Sequence, residues 1–412
     1  MHLCRRTLLL AGLAAAAVTG CSTPGPPPDH PEGKTTYSPT SPDAPEALKA
    51  ADMSQRLGWK LLRLNRSPDN RMMSPASLSS VLALMGLGAS GESAARLDEL
   101  FGMEAVEWAR GIDALRNSLK DYDSLPASMD SGDPPETPVV HIASRLLLCG
   151  GGTPKESFLN IAKETLDAGV DRVSDAEAQA SMDSWVRKHT AELIEDSGLE
   201  FGSGTELVAQ DTLLFSAAWQ QQFTSDNVPL TFTTDDDKKI ALTAMSGEFN
   251  APTATGERWK AVRLRYDANL AMDVLFLTKS GHPLGWGEEV LIESHEALSK
   301  APDERVRVTM PVMDLTQQLD FMELLDLLKV DIEDFDGIFD GAKIQQTMQR
   351  ARIQVAAQGT IGAAATESGE ATATPPSENV TEFIANRPYL MRVLDTRSGW
   401  PLFLTIISDP QE

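Results

Sequence analysis

An α+β fold with many long strands is expected from this chain on three observations: apolar residues recur at helical spacing near its start, strand-like runs dominate the middle and end, and no second linker divides the folded part. Leu48, Met53, Leu57, Leu61 and Leu64 carry the first helical pattern. Pro75 precedes a second helical stretch over residues 78–87, and residues 156–166 and 176–193 read as further helices. Residues 139–148, 206–215, 261–265, 271–277, 305–313, 344–355, 389–394 and 401–407 read as strands. With 412 residues and 42% hydrophobic content, the chain can bury a large core, and no repeat period is present.

The N-terminus reads as an export signal. Arg5 and Arg6 precede an apolar run over residues 8–18 that is too short to span a bilayer. Val18-Thr19-Gly20-Cys21 resembles a bacterial lipobox, so residues 1–20 are expected to be a removed signal peptide and Cys21 the lipidation site. The expected location is the extracellular face of the cell membrane, held there by acylated Cys21. Arg5-Arg6 also resembles a weak twin-arginine signal. Residues 21–44 are rich in Pro, Ser and Asp and read as a solvated tether, leaving 45–412 as the folded domain. Cys4 leaves with the signal, which leaves Cys149 alone and no internal disulfide. Cys149 closes the apolar run Leu146-Leu147-Leu148 and is expected to be a buried strand residue.

Charge and motif content narrow the function classes. With 36 basic against 60 acidic residues the net charge is −24, and loss of a leader holding two arginines and no acid takes it to −26. Such a surface repels phosphates, so no nucleic-acid partner is expected. There is no Gly-x-Ser-x-Gly, no Gly-rich phosphate loop, no CxxC pair, and His295-Glu296 lacks the second histidine of a zinc motif. No cofactor or metal is expected. Asp235-Asp236-Asp237, followed by Lys238-Lys239, reads as a hairpin turn rather than a calcium site.

The segment Val355-Ala356-Ala357-Gln358-Gly359-Thr360-Ile361-Gly362-Ala363-Ala364-Ala365-Thr366 leads from one strand run towards another at Arg387-Pro388-Tyr389-Leu390, which implies an exposed loop. It resembles the reactive-loop hinge of the serpin family, Gly-Thr-Glu-Ala-Ala-Ala-Ala-Thr. Asn70-Arg71-Met72-Met73-Ser74-Pro75-Ala76-Ser77-Leu78-Ser79 and Leu87-Gly88-Ala89-Ser90-Gly91-Glu92-Ser93 are similar to two further family motifs. Trp185-Val186, Thr190, Ile194, Phe215, Trp219, Phe223, Tyr266, Met272, Pro311 and Leu402-Phe403 fall in family order.

The resemblance implies a serpin fold with three β-sheets, about nine helices and an exposed reactive-centre loop. It implies a suicide inhibitor, not an enzyme, that acts as a monomer on a target serine protease, with a cysteine protease as the alternative class. A non-inhibitory serpin serving as a binding module is the second reading. The hinge would be Gly359, Thr360, Gly362, Ala363, Ala364, Ala365 and Thr366, and the shutter beneath the opening sheet Ser74, Ser77, Asp211 and Gln349. Asp211 and Gln349 stand where the family usually has Asn and His, Ala357 and Ile361 where it has Glu, and Thr405-Ile406 where it has Gly-Arg. Counting from Gly359 puts the reactive bond at Ala373-Thr374; counting back from Arg387-Pro388 moves it towards Ser377.

Insertion of such a loop makes a demand that the residues can be tested against. A strand has period two, and the inward face here is Thr360, Gly362, Ala364, Thr366 and Ser368, all small and uncharged, with Glu370 the first charge. No Arg or Lys lies in residues 367–378, so the expected targets are elastase- or subtilisin-like proteases that accept small side chains.

Overall fold

The computed structural model describes residues 29–64, 70–126, 129, 134–202, 204–330, 332–361 and 380–411. The helices are α1 (Pro45–Leu64), α2 (Pro75–Gly88), α3 (Gly91–Phe101), α4 (Ala105–Ser118), α5 (Glu156–Leu166), α6 (Asp175–His189), α7 (Glu289–Lys300) and α8 (Phe321–Leu327). The strands are β1 (Arg71–Met73), β2 (Val139–Cys149), β3 (Val170–Val173), β4 (Leu207–Ala218), β5 (Ser225–Thr233), β6 (Lys239–Thr255), β7 (Trp259–Arg265) and β8 (Leu270–Leu277). They continue with β9 (Asp303–Pro311), β10 (Met313–Asp320), β11 (Ile344–Val355), β12 (Gly359–Ile361), β13 (Thr381–Ile384), β14 (Tyr389–Asp395) and β15 (Pro401–Ile407).

Helix α2 lies beneath the sheets because it is apolar on every side and has a well-formed start. The Ser74 side chain caps it by accepting from the Ser77 N–H, Pro75 opens it, and Leu78, Val81, Leu82, Leu84 and Met85 are all buried. Helix α1 buries Leu57 and Leu61 of the apolar pattern and half-buries Met53 and Leu64, with Leu48 the exception. Leu48 is 62% exposed, whereas Ala47, Ala50 and Ala51 are buried. The small residues face inward because α4 approaches there: a Cβ on Gly111 would lie 2.7 Å from the Ala50 Cβ.

Among the described residues the strands form three sheets, two of which share β6. One is six-stranded, in the order β10-β11-β12-β4-β2-β3, and the other two join into a nine-stranded network. The network is continuous because β6 is 17 residues long: it pairs with β5 and β9 along most of its length and with β7 at its end. The described helices number eight, against about nine expected. Asp237 lies in the turn between β5 and β6, where its N–H bonds the Thr234 carbonyl. Cys149 is buried at the end of β2, and burial pushes its thiol up to about 11.

Residues 29–44 do not behave as a free tether. Asp29 exchanges two backbone hydrogen bonds with Arg172 on the edge strand β3, at 3.1 and 2.8 Å, and the Pro31 carbonyl accepts from Val170. His30 Nδ1 lies 2.6 Å from Asp171, the Lys34 N–H bonds Asn160 on α5, and the Tyr37 hydroxyl and Thr40 N–H both reach Asp113 on α4 at 2.8 Å. A polar segment suits this place, because an edge strand offers unpaired backbone groups rather than an apolar face.

Deep in the nine-stranded sheet, Asp273 and Arg392 are both 0% exposed. Arg263 grips Asp273 at 2.6 and 2.9 Å, and Arg392 Nη2 reaches it at 2.6 Å. Arg392 also donates to Gln55, Ser294 and the Leu291 carbonyl. Burial alone would raise the Asp273 carboxyl, but the two guanidiniums hold it down at about 2. Removing this charge leaves two buried cations without their counter-ion. Asp273→Asn is expected to lower the unfolding free energy by about 3–5 kcal/mol, read from the urea midpoint at neutral pH.

Candidate functional site

The hinge predicted from sequence begins at a tight turn. Ala356 and Gly359 exchange backbone hydrogen bonds at 2.9 and 3.3 Å, which folds the chain back on itself after β11. The returning strand β12 lies between β11 and β4: Thr360 pairs with Val355 on one side and Ala217 on the other. Gly359 is required here by close approach, since a Cβ would lie 2.3 Å from the Ala217 carbonyl oxygen and 2.9 Å from the Ala218 Cα.

An aromatic cluster holds the turn. Trp219 donates its indole N–H to the Ala356 carbonyl at 2.8 Å, and its backbone N–H bonds the Gln358 carbonyl. The Phe223 N–H bonds the Ala357 carbonyl, so the alanine that replaces the family's glutamate is itself buried. Trp219 stacks on Tyr266 at 4.5 Å, and the Tyr266 hydroxyl meets Thr360 Oγ1 at 2.6 Å in a fully buried contact. Burial raises the Tyr266 phenol well above its ordinary range. Thr360 is 0% exposed, so the first inward residue of the hinge already sits inside the sheet.

Below this point the central pair is closed directly. β11 and β4 run parallel, paired from Ile344 with Leu207 to Gln349 with Asp211 across one bulge between Ile344 and Gln346. Between that row and the β12 rows, residues 350–353 and 212–215 have no mutual register among the described residues. Thr212 Oγ1, Ser216 Oγ and Gln354 Oε1 are buried along this seam with no partner among the described residues. Among the described residues the sheet is therefore closed at one end by direct β4–β11 pairing and at the other by β12.

The predicted shutter residues come together at the sealed end. Gln349 accepts from the Ser74 N–H at 2.8 Å and donates to the Ser74 carbonyl at 3.0 Å, tying β11 to the start of α2. The Ser77 hydroxyl donates to Asp211 Oδ2, which Gln349 Nε2 also reaches at 3.3 Å. Asp211 Oδ1 is buried without a partner among the described residues. Burial pushes this carboxyl up to about 8, offset only in part by the Gln349 amide.

A family model described as serpin, serine protease inhibitor, matches residues 51–410. The chain belongs to the serpin family. Neuroserpin from Gallus gallus is 23% identical over 381 residues, covering 86% of this chain and 89% of that protein. Plasminogen activator inhibitor 1 from Bos taurus is 24% identical over 403 residues, covering 92% and 95%. Among solved structures, native tengpin, a thermophilic serpin, superposes with a TM-score of 0.76 at 16% identity, covering 91% of this chain and 97% of that one. Thyroxine-binding globulin in complex with thyroxine gives 0.72 at 18% identity, with 88% and 100% covered. At these identities the structures establish the fold alone. Serpins are in general protease inhibitors rather than catalysts, although some do not inhibit.

Gly359 and Thr360 are placed at the seam, and Ser74, Ser77, Asp211 and Gln349 at its sealed end. Gly362, Ala363, Ala364, Ala365, Thr366, Ala373, Thr374, Ser377 and Cys21 lie outside the described residues. The roles of Tyr266 and Trp219 were not legible beforehand, because their contacts with 356–360 span some ninety residues or more of chain. Asp211 yields a pH prediction with a definite sign. The unfolded carboxyl titrates near 4, whereas the folded one keeps its proton up to about 8. Stability associated with neutral Asp211 is therefore lost as pH rises through that window. Asp211→Asn, which cannot ionise, is expected to gain stability relative to the parent chain between about pH 5 and pH 8, measured as the difference in urea midpoint at each pH.

Proposed function

We propose that this serpin is a lipid-anchored suicide inhibitor of extracellular serine proteases, working by cleavage and insertion of its reactive loop. The observation that carries the reading is β12: the hinge already occupies the top of the seam as a central strand, with an uncharged residue, Thr360, on its buried face. Its register supplies the rest. Ile361 faces Ser216, and each further step along the loop is a step down β4. Carried on, this sets Thr366 opposite Asp211 and Glu370 opposite Leu207, the lower end of β4. Every inward residue down to Ser368 is small, and the first charge falls where the sheet ends.

The same count supports Ala373-Thr374 as the reactive bond, since it lies just beyond Leu207. An inserted strand of that length carries an acylated protease clear of the sheet's lower edge. Alanine before the bond fits a shallow pocket, which favours elastase- or subtilisin-like targets. The protease supplies the nucleophile and base; the inhibitor supplies a peptide bond and the stored free energy of an open seam.

Three outcomes are expected. Thr360→Arg folds and is cleaved but forms no SDS-stable complex with elastase or subtilisin, because an unpaired guanidinium cannot enter the seam without a cost of several kcal/mol; a variant that still trapped protease would remove insertion from the mechanism. The C-terminal fragment released from a complex begins at Thr374 by mass spectrometry, and a fragment beginning after Ser377 would refute the hinge count. Cys21→Ala leaves the membrane fraction for the soluble one, and its retention with membranes would exclude acylation as the anchor.

A further inference from the structure

The N-terminal strap meets the six-stranded sheet at one end only. Asp29 bridges Arg172, Arg172 is in register with Leu148, and Leu148 with Leu207, so the strap begins on the row where β4 starts. The hinge Gly359 is in register with Ala218, where β4 ends. The eleven residue steps from Leu207 to Ala218 amount to about 36 Å at about 3.3 Å each. Hinge and strap therefore lie at opposite poles of the sheet.

Little chain separates the strap from the residue read as the anchor. Cys21 to Asp29 is eight Cα-to-Cα steps, which reach at most about 28 Å. A tether that stayed free as far as Pro45 would have 24 steps, or about 84 Å. The difference decides orientation. A domain turned hinge-down would hold Asp29 about 36 Å or more from the bilayer, beyond the shorter reach and well within the longer one.

Resting on the reading of Cys21 as the acylated residue, we propose that the strap stands the domain on the lipid surface by its lower pole, with the hinge pole turned away from the membrane. Among the described residues the lysines and arginine around the strap are paired with acids rather than forming a cationic stripe for lipid charge to draw down. Lys34 pairs with Glu156, Lys163 with Glu32 and Asp167, and Arg172 with Asp29. Orientation is thus set by chain length and strap docking. The partners that can reach the loop are proteases arriving from solution, not proteases embedded in the same bilayer. A protease carried down β4 by insertion ends at the membrane-side pole.

The test fixes the anchor chemically, so that it does not depend on biological acylation. A chain beginning at Cys21 is coupled through that thiol to a maleimide lipid in phosphatidylcholine vesicles; Cys149 is buried, with its thiol held at about 11, and does not compete. A donor dye is attached through p-azidophenylalanine at Gly151, which is exposed at the lower pole with open space around it, or at Gln220, exposed at the hinge pole. Energy transfer to an acceptor lipid is expected from position 151 and lost from position 220. Inserting about twenty Gly/Ser residues between Pro28 and Asp29 is expected to abolish the difference. Equal transfer from both positions, or stronger transfer from 220, in the chain without the insert would overturn the proposal. The Cys21→Ala fractionation reports separately on acylation, so the two readings can fail independently.

Discussion

The structure turns on the pairing between β4 and β11, which is made at one end and withheld above it. A parallel pair in register from Gln346–Val208 to Gln349–Asp211 would ordinarily continue to the strand ends. It does not, because β12 enters from the other end and keeps the strands a full strand width apart, with Thr360 bonded to Tyr266 and the preceding turn held by Trp219. Between the two closures lies a stretch of sheet whose central rows are unpaired among the described residues. Buried, unpaired sheet is unstable unless something holds it, and the wedge and the shutter are what hold it here.

Two fully buried aspartates show how environment assigns different work to one residue type. Asp273 sits between two guanidiniums and is held ionised at about 2, as part of a core cross-link between β7, β8 and β14. Asp211 has only neutral partners, Ser77 and Gln349, and is held protonated to about 8. The first interaction is strong because charge is compensated where water is absent. The second is conditional, because its strength depends on keeping a proton, and it lies on the last of the rows at which β4 and β11 pair directly.

The N-terminal strap follows a related logic. A Pro- and Ser-rich composition marks a segment unable to form a core, yet it does not exclude docking where the demand is for backbone hydrogen bonds. β3 is an edge of the six-stranded sheet, and Asp29 and Pro31 satisfy its backbone groups while Tyr37 and Thr40 tie the strap on to α4. Edge cover and the tie to α4 thereby become properties of one short segment.

The α+β class, the helix at 156–166 and the strands at 139–148 and 344–355 were legible in the sequence, because local periodicity is written in consecutive positions. The exposure of Leu48 was not: it looks like core by hydrophobicity, yet the close approach of α4 makes Ala50 the buried residue there. Nor was the union of the expected second and third sheets through β6, the docking of residues 29–44, or the partnership of Tyr266 with Thr360. Each depends on which segments, far apart in the chain, arrive at the same place. Sequence determined what each segment could be; tertiary structure decided which backbone groups were left unpaired at the seam, because pairing is a property of two strands and never of one.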